Sequence, residues 1–300
     1  EVVTIATAGD RVKNGAPLLY ARQAASGLVA ADVVDSAITS SLSSPRNVVV
    51  LAEDATWTET RATATGEASQ LGAVGVWARD IYERDVRARV AGSAIVGRNL
   101  TVTADAALRA NLTAVSRAKG GGKTDFAGQV TWLVIDRDVV AQVTGSTVTT
   151  TADMAVTATR ADSALMLMGT ETSATIGAGV GLGFMRTRGD TRAEVIAPRA
   201  GGLVIGRDLE IAATDATAAV QVVLGTGEPG VFTGIGALGV IEMGRRPDAA
   251  APIPNPVAAD AVNDLLPEGV AVHETARDAM LAEIAARPTV VGDTAAATAK

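Results

Sequence analysis

Cysteine is absent from this chain of 300 residues and histidine occurs once. No disulfide framework and no Cys-ligated metal site can form, and one imidazole cannot supply a multi-histidine zinc or copper centre. Only eight aromatic residues are present. That is too few for the two aromatic girdles of an outer-membrane barrel. No apolar run of about 18 residues exists to span a membrane as a helix. Basic excess is also missing: the net charge of −7 argues against a nucleic-acid binder, which needs a cationic face to displace counterions. A starting Met is absent too, and Glu1 opens directly on a strand-like run, which reads as a processed chain or a fragment.

What fills the chain is Ala, Val and Thr, together 129 of the 300 residues. They are arranged as a repeat. The run Leu100–Ala104 recurs at Met154–Ala158 and Leu209–Ala213, and earlier at Val48–Ala52 and Val3–Thr7, with spacings of 45, 52, 54 and 55. Asn47, Asn99, Asp153 and Asp208 stand immediately before four of these runs. A second marker, Asp-x-x-Ala-x-Val, starts at Asp85, Asp138 and Asp190, at intervals of 53 and 52. A weaker version of it places Ala37 in phase with Ala88. Two markers holding one period of about 52 define the fold before any secondary structure is assigned.

Within a period the apolar and small polar residues alternate, the period-2 signature of strands. In the copy beginning near residue 98, the pattern predicts strands over 98–105, 107–117, 127–135, 139–143 and 147–151. The third strand is rich in Gly: Gly72–Trp77, Ala127–Trp132, Gly177–Phe184 and Gly236–Ile241. Two readings of it stay open, a tight packing layer inside the fold or a flat outer face that accepts a neighbouring molecule.

Stacked repeats bury apolar strands that one repeat alone cannot. The expected architecture is therefore all-β, a parallel β-solenoid (β-helix) of about 52-residue repeats over 1–246. Val3, Val48, Leu100, Met154 and Leu209 would form an internal ladder at the strand spacing of about 4.8 Å. Asn47 and Asn99 would stack at a corner, where amides hydrogen-bond along the ladder. Asp153 beside Asp208 at that corner requires something between the like charges. A propeller is the competing repeat fold, but its paired Gly with Trp or Tyr is missing. Pro247, Pro252, Pro254 and Pro256 make 247–256 an extended linker. Beyond it, 257–300 reads as a small helical cap or docking segment, with helices over Val257–Leu265 and Thr275–Arg287.

The stretches Arg98–Ala104, Ala107–Arg117, Gly177–Phe184 and Thr191–Val195 resemble the β-solenoid regions of giant bacterial surface adhesins and autotransporter passengers of the filamentous-haemagglutinin kind. The resemblance covers about residues 1–245. It implies secretion, a stalk or adhesive role at a bacterial surface, and membership of a longer chain. It carries no catalytic residues.

Chemistry is scarce. Gly120–Thr124 suggests a phosphate loop, but Arg117 stands where the motif needs its first Gly. Paired acids deserve a test because β-helix enzymes cleave polysaccharides with them. Asp80, Glu83 and Asp85, then Asp136 and Asp138, then Asp190 and Glu194 share one phase of the repeat. They fall beside Arg79, Arg84, Arg137, Arg188 and Arg192, a pattern that reads as a solvated, salt-laced edge. A glycan-binding or weak calcium-binding edge is the sharper alternative. His273 reads as a helix-entry residue, since no Ser-His-Asp or Cys-His set surrounds it in sequence. The expectation is a non-catalytic scaffold, without cofactor, that self-associates through its Gly/Ala faces or its open ends; surface glycans are its other candidate partner.

Overall fold

A computed structural model describes residues 2–41, 43–119, 123–196, 202–227, 232–244 and 295–299. Every element among them is a strand. In chain order these are β1 (Val2–Gly15), β2 (Leu18–Val34), β3 (Ala37–Thr39), β4 (Val48–Ala91), β5 (Ala94–Gly97), β6 (Leu100–Ala118), β7 (Thr124–Asp136), β8 (Val139–Thr144) and β9 (Thr147–Thr150). There follow β10 (Met154–Thr172), β11 (Ile176–Arg188), β12 (Thr191–Ile196), β13 (Leu203–Ile205), β14 (Leu209–Asp215), β15 (Ala218–Gly227), β16 (Phe232–Gly244) and β17 (Ala295–Ala299).

All pairings but one are parallel, and the chain returns to the same four positions on each pass. Leg A is the long strand: the first part of β4, then β6, β10 and β14 with β15. Leg B is the glycine-rich strand: β2, the middle of β4, then β7, β11 and β16. Leg C is the end of β4 with β8 and β12, and leg D is the short sheet β3, β5, β9, β13. This arrangement is consistent with a parallel β-solenoid. The exception is β17, which lies antiparallel on β14.

Sequence alternation becomes burial alternation. Along β6 every second residue from Leu100 to Ala118 is buried. Val48, Leu100, Met154 and Leu209 are successive register partners, with Leu100 and Met154 fully buried. Val3 is not in this row: Val2 is level with Thr58, so Val3 falls beside Glu59. Ala37 likewise stands beside Ala94, while Ala31 is the partner of Ala88. The expected break between 105 and 107 does not occur, because Asp105 points outward without interrupting the ladder and β6 runs on unbroken. The proposed helices over Val257–Leu265 and Thr275–Arg287, the linker 247–256 and His273 lie outside the described residues. Within 257–300 the described stretch is the strand β17, not a helix.

Two apolar clusters fill the interior. One joins the far half of leg A to leg B through Leu108, Leu112, Val76, Leu133, Ile135, Met166 and Met185. The other joins the near half of leg A to legs C and D through Val50, Val102, Val86, Val139, Ile95 and Val148. The belt between them is polar. Arg137 places its guanidinium between Asp54 (3.0 Å) and Asp162 (3.4 Å), and Arg160 bonds Asp162 at 2.7 Å. Arg84 reaches Asp54 at 3.2 Å and Arg160 reaches Asp215 at 3.7 Å, so three cations balance three anions. Arg137, expected on a solvated edge, is 1% exposed. The turn it occupies aims it inward. At the next level of that turn stands Gly189, φ +129°, where an added Cβ would lie 1.9 Å from the Arg137 carbonyl oxygen.

Candidate interaction surface

The corners are built by side chains that reach one level along the stack. Asn99 donates through its amide nitrogen to Asn47 (3.1 Å), and its amide oxygen accepts the N–H of Asp153 at 3.0 Å. Asp153 in turn accepts from Arg207 at 2.6 Å, which sets a cation against its charge. The corner before leg C is an aspartate ladder. Asp85 accepts the N–H of Asp138 (2.8 Å), and Asp138 accepts the N–H of Asp190 (2.9 Å). A carboxylate that takes a backbone N–H is held in place as part of the turn. The structure thus brings Asp85, Asp138 and Asp190 together in one column, and Asn47, Asn99 and Asp153 in another.

Sequence reasoning missed a third column. Ser36 and Ser93 donate their N–H groups to the hydroxyls of Ser93 and Ser146, both at 3.1 Å, and each hydroxyl bonds a carbonyl two residues earlier. The preceding residues, Asp35, Gly92 and Gly145, all have positive φ. The signal was there in Asp35-Ser36-Ala37-Ile38, Gly92-Ser93-Ala94-Ile95 and Gly145-Ser146-Thr147-Val148.

Asp80 does not belong to the charged edge. It points inward from leg B, 1% exposed, next to Gln23, Thr58, Thr60 and Tyr82. Thr58 and Tyr82 share a hydrogen bond of 2.5 Å, and the Thr60 hydroxyl is committed to Gln23 Oε1 at 2.8 Å. Neither Asp80 oxygen makes a well-formed hydrogen bond. Burial pushes its carboxyl up to about 7, with Thr60 and the Gln23 backbone close enough to oppose the shift but not to cancel it. Burial, with the Asp80 charge behind it, also raises Tyr82. One level along, the interior is apolar again, with Leu133 beside Asp80 and Ile135 beside Tyr82.

Two features face outward. On leg A a groove of about 340 Å³ runs over Ala55, Ala107 and Ala161, bordered by Trp57, Arg109 and Ser163. Glu53 and Asp105 form the next outward row on its other side.

Leg B presents the larger surface. Five strands, β2, β4, β7, β11 and β16, lie side by side there. Tyr20, Trp77, Phe126, Trp132 and Phe184 all point outward from it, five of the eight aromatics in the chain. Tyr20 and Trp77 meet edge to face with centroids 5.6 Å apart, and Trp132 lies 5.4 Å from Phe184 with Arg79 over its other neighbour side at 5.9 Å. Leu18, Leu71, Ile176, Val180 and Leu238 are exposed among them. The glycine-rich strand is a packing layer on its inner side and an exposed face on its outer side. Gly181, Gly183 and Gly239 face inward; Gln221 takes the space a side chain would need at Gly183 and Gly239, with Met168 also there at Gly183. Gly75, Gly128 and Gly236 face outward in one row.

A contiguous apolar patch of this kind marks an interaction site more often than a bare surface. Among the described residues no group of three acidic or histidine side chains converges as a metal site, and no helix is long and apolar enough to cross a membrane. Comparisons with protein-family models, curated proteins and solved structures return no match.

Proposed function

We propose that this chain is a non-catalytic scaffold, a parallel β-solenoid of repeats near 52 residues that self-associates at a bacterial surface or outside the cell. The observation that carries the reading is the aromatic outer face of leg B. Large apolar side chains in water are costly, at about 25 cal/mol per Å² of apolar surface, and association removes that surface. The acids support a structural role: Asp85 and Asp138 hold turns, while Asp54 and Asp162 hold Arg137. Strand edges left unpaired among the described residues, such as β16 on leg B, are a second route to assembly, giving a stalk or filament. Sedimentation of the full chain across micromolar concentrations tests the reading. Concentration-dependent species of twice the chain mass or more are expected. A strict monomer throughout counts against it.

One further reading has its own observation, the leg A groove. Trp57 offers a stacking face, and Glu53, Asp105 and Arg109 offer hydroxyl partners, a composition suited to a saccharide. A glycan array probed with the chain and with Trp57→Ala tests it: retention by the chain that the variant loses is the expected result.

A further inference from the structure

Resting on the self-association just proposed, we infer that the occupant of the leg B face is a second copy of this chain, packed face to face about a two-fold axis parallel to the strands and centred on β7. Area, relief and charge each favour this partner. Five strands at about 4.8 Å, over ten residues at about 3.3 Å each, give a face of roughly 800 Å². A stable interface takes about 800 Å² from each partner.

Relief comes next. In the outward row Leu18, Gly75, Gly128, Val180, Gly236, the Leu18 side chain covers Gly75, where an added Cβ would lie 2.7 Å from its Cδ1, and bare backbone is left at Gly128 and Gly236. An added Cβ at Gly236 would meet nothing within 4 Å, while Leu18 is 74% exposed. The two-fold sets β2 over β16 and β4 over β11, so Leu18 enters the space at Gly236 of the second copy. Val180 of the second copy then lies against the Leu18 side chain that covers Gly75. The row fits itself when reversed, as an isologous interface requires.

Charge follows the same reversal. Glu83 follows Tyr82, the partner of Ile135, so it stands level with Asp136 and Arg188 in the rim row. Arg188 already bonds Glu242 of its own chain, and the two-fold adds Glu83 of β4 opposite it, twice over. Asp136 meets itself at the axis, and Arg186 of its own chain stands 3.9 Å away to offset it.

The test is a charge swap on the full chain, read by sedimentation equilibrium, with circular dichroism confirming unchanged β content. Glu83→Arg alone and Arg188→Glu alone each set like charges opposite one another and weaken the dimer at least roughly tenfold. An equimolar mixture of the two variants restores dimer mass, because each copy then meets its opposite. Leu18→Arg, at an exposed site on the row, gives monomer, and Trp57→Ala on the other leg leaves the mass unchanged. A wild-type monomer at every concentration overturns both this pairing and the self-association beneath it. If the monomer also shields Trp77 and Trp132 from acrylamide, the chain covers its own face and the pairing is likewise overturned. Association that persists without rescue in the mixture overturns this pairing alone and leaves self-association standing.

Discussion

A single carboxyl illustrates how far the interior departs from a plain aliphatic core. Asp80 is sealed between Gln23 and Leu133 along its row, with its carboxyl raised to about 7. Its folded value lies above its ordinary 3.8, so the folded chain holds the proton more tightly than the unfolded chain. Stability is then fully present at low pH and is lost as pH rises from about 4 through 7. Asp80→Asn removes that dependence. At pH 8 it should stabilise the chain by about 2–4 kcal/mol, shrinking toward zero near pH 4. Urea midpoints of both forms at the two pH values check this; a substitution that destabilises at pH 8 would show the charged form to be welcome there. Nothing in the sequence distinguished Asp80 from Glu83 or Asp85. Its inward direction follows from the strand running unbroken from leg B toward leg C, which the charges at 80–85 disguise as a turn.

Among the elements, the corner between legs B and C is the most consequential. Arg137 turns inward there and divides its donors between Asp54 and Asp162, while Arg84, one level away, bonds Asp54 from a side chain 39% exposed. Removing one partner of a buried pair strands the others in low dielectric, at about 3–5 kcal/mol. Arg137→Met should therefore cost about that much, and Arg84→Met no more than about 1 kcal/mol. Thermal or urea unfolding of both variants decides it, and equal costs would refute the distinction drawn from burial. The periodic pattern made strands, register and corner columns legible because all three repeat. It could not reveal the ion-pair belt, since Asp54, Ala106, Arg160 and Asp215 occupy one row with three different chemistries. The serine column was legible in principle but lay in the short leg D turn, where two or three residues carry little periodic weight. Aromatic clustering was hidden for another reason. The rings are spread over leg B strands far apart in sequence, and only the stacking brings them onto one surface.

For the molecule as a whole, cohesion passes between neighbouring levels, as in any stacked repeat. The middle level, β6 with β7 and β8, is paired on both sides, whereas β2 is paired only with β4 among the described residues. Local opening should begin where pairing is one-sided. Hydrogen exchange is expected to be slowest in β6 and β10 and markedly faster in β2 and β16. Uniform protection along the stack would mean that the levels open together. The side faces matter at this scale too, because lateral pairing through leg B would slow exchange in β2 and β16 as concentration rises.

The antiparallel strand β17 changes what the stack can become. By running against β14 it occupies the backbone groups that a further parallel level would need on leg A. On leg B, β16 has no such neighbour among the described residues. Leg A at this end is closed to a further parallel level unless that stopper is evicted, whereas the opposite end carries no equivalent among the described strands, so the two ends of the stack are not interchangeable.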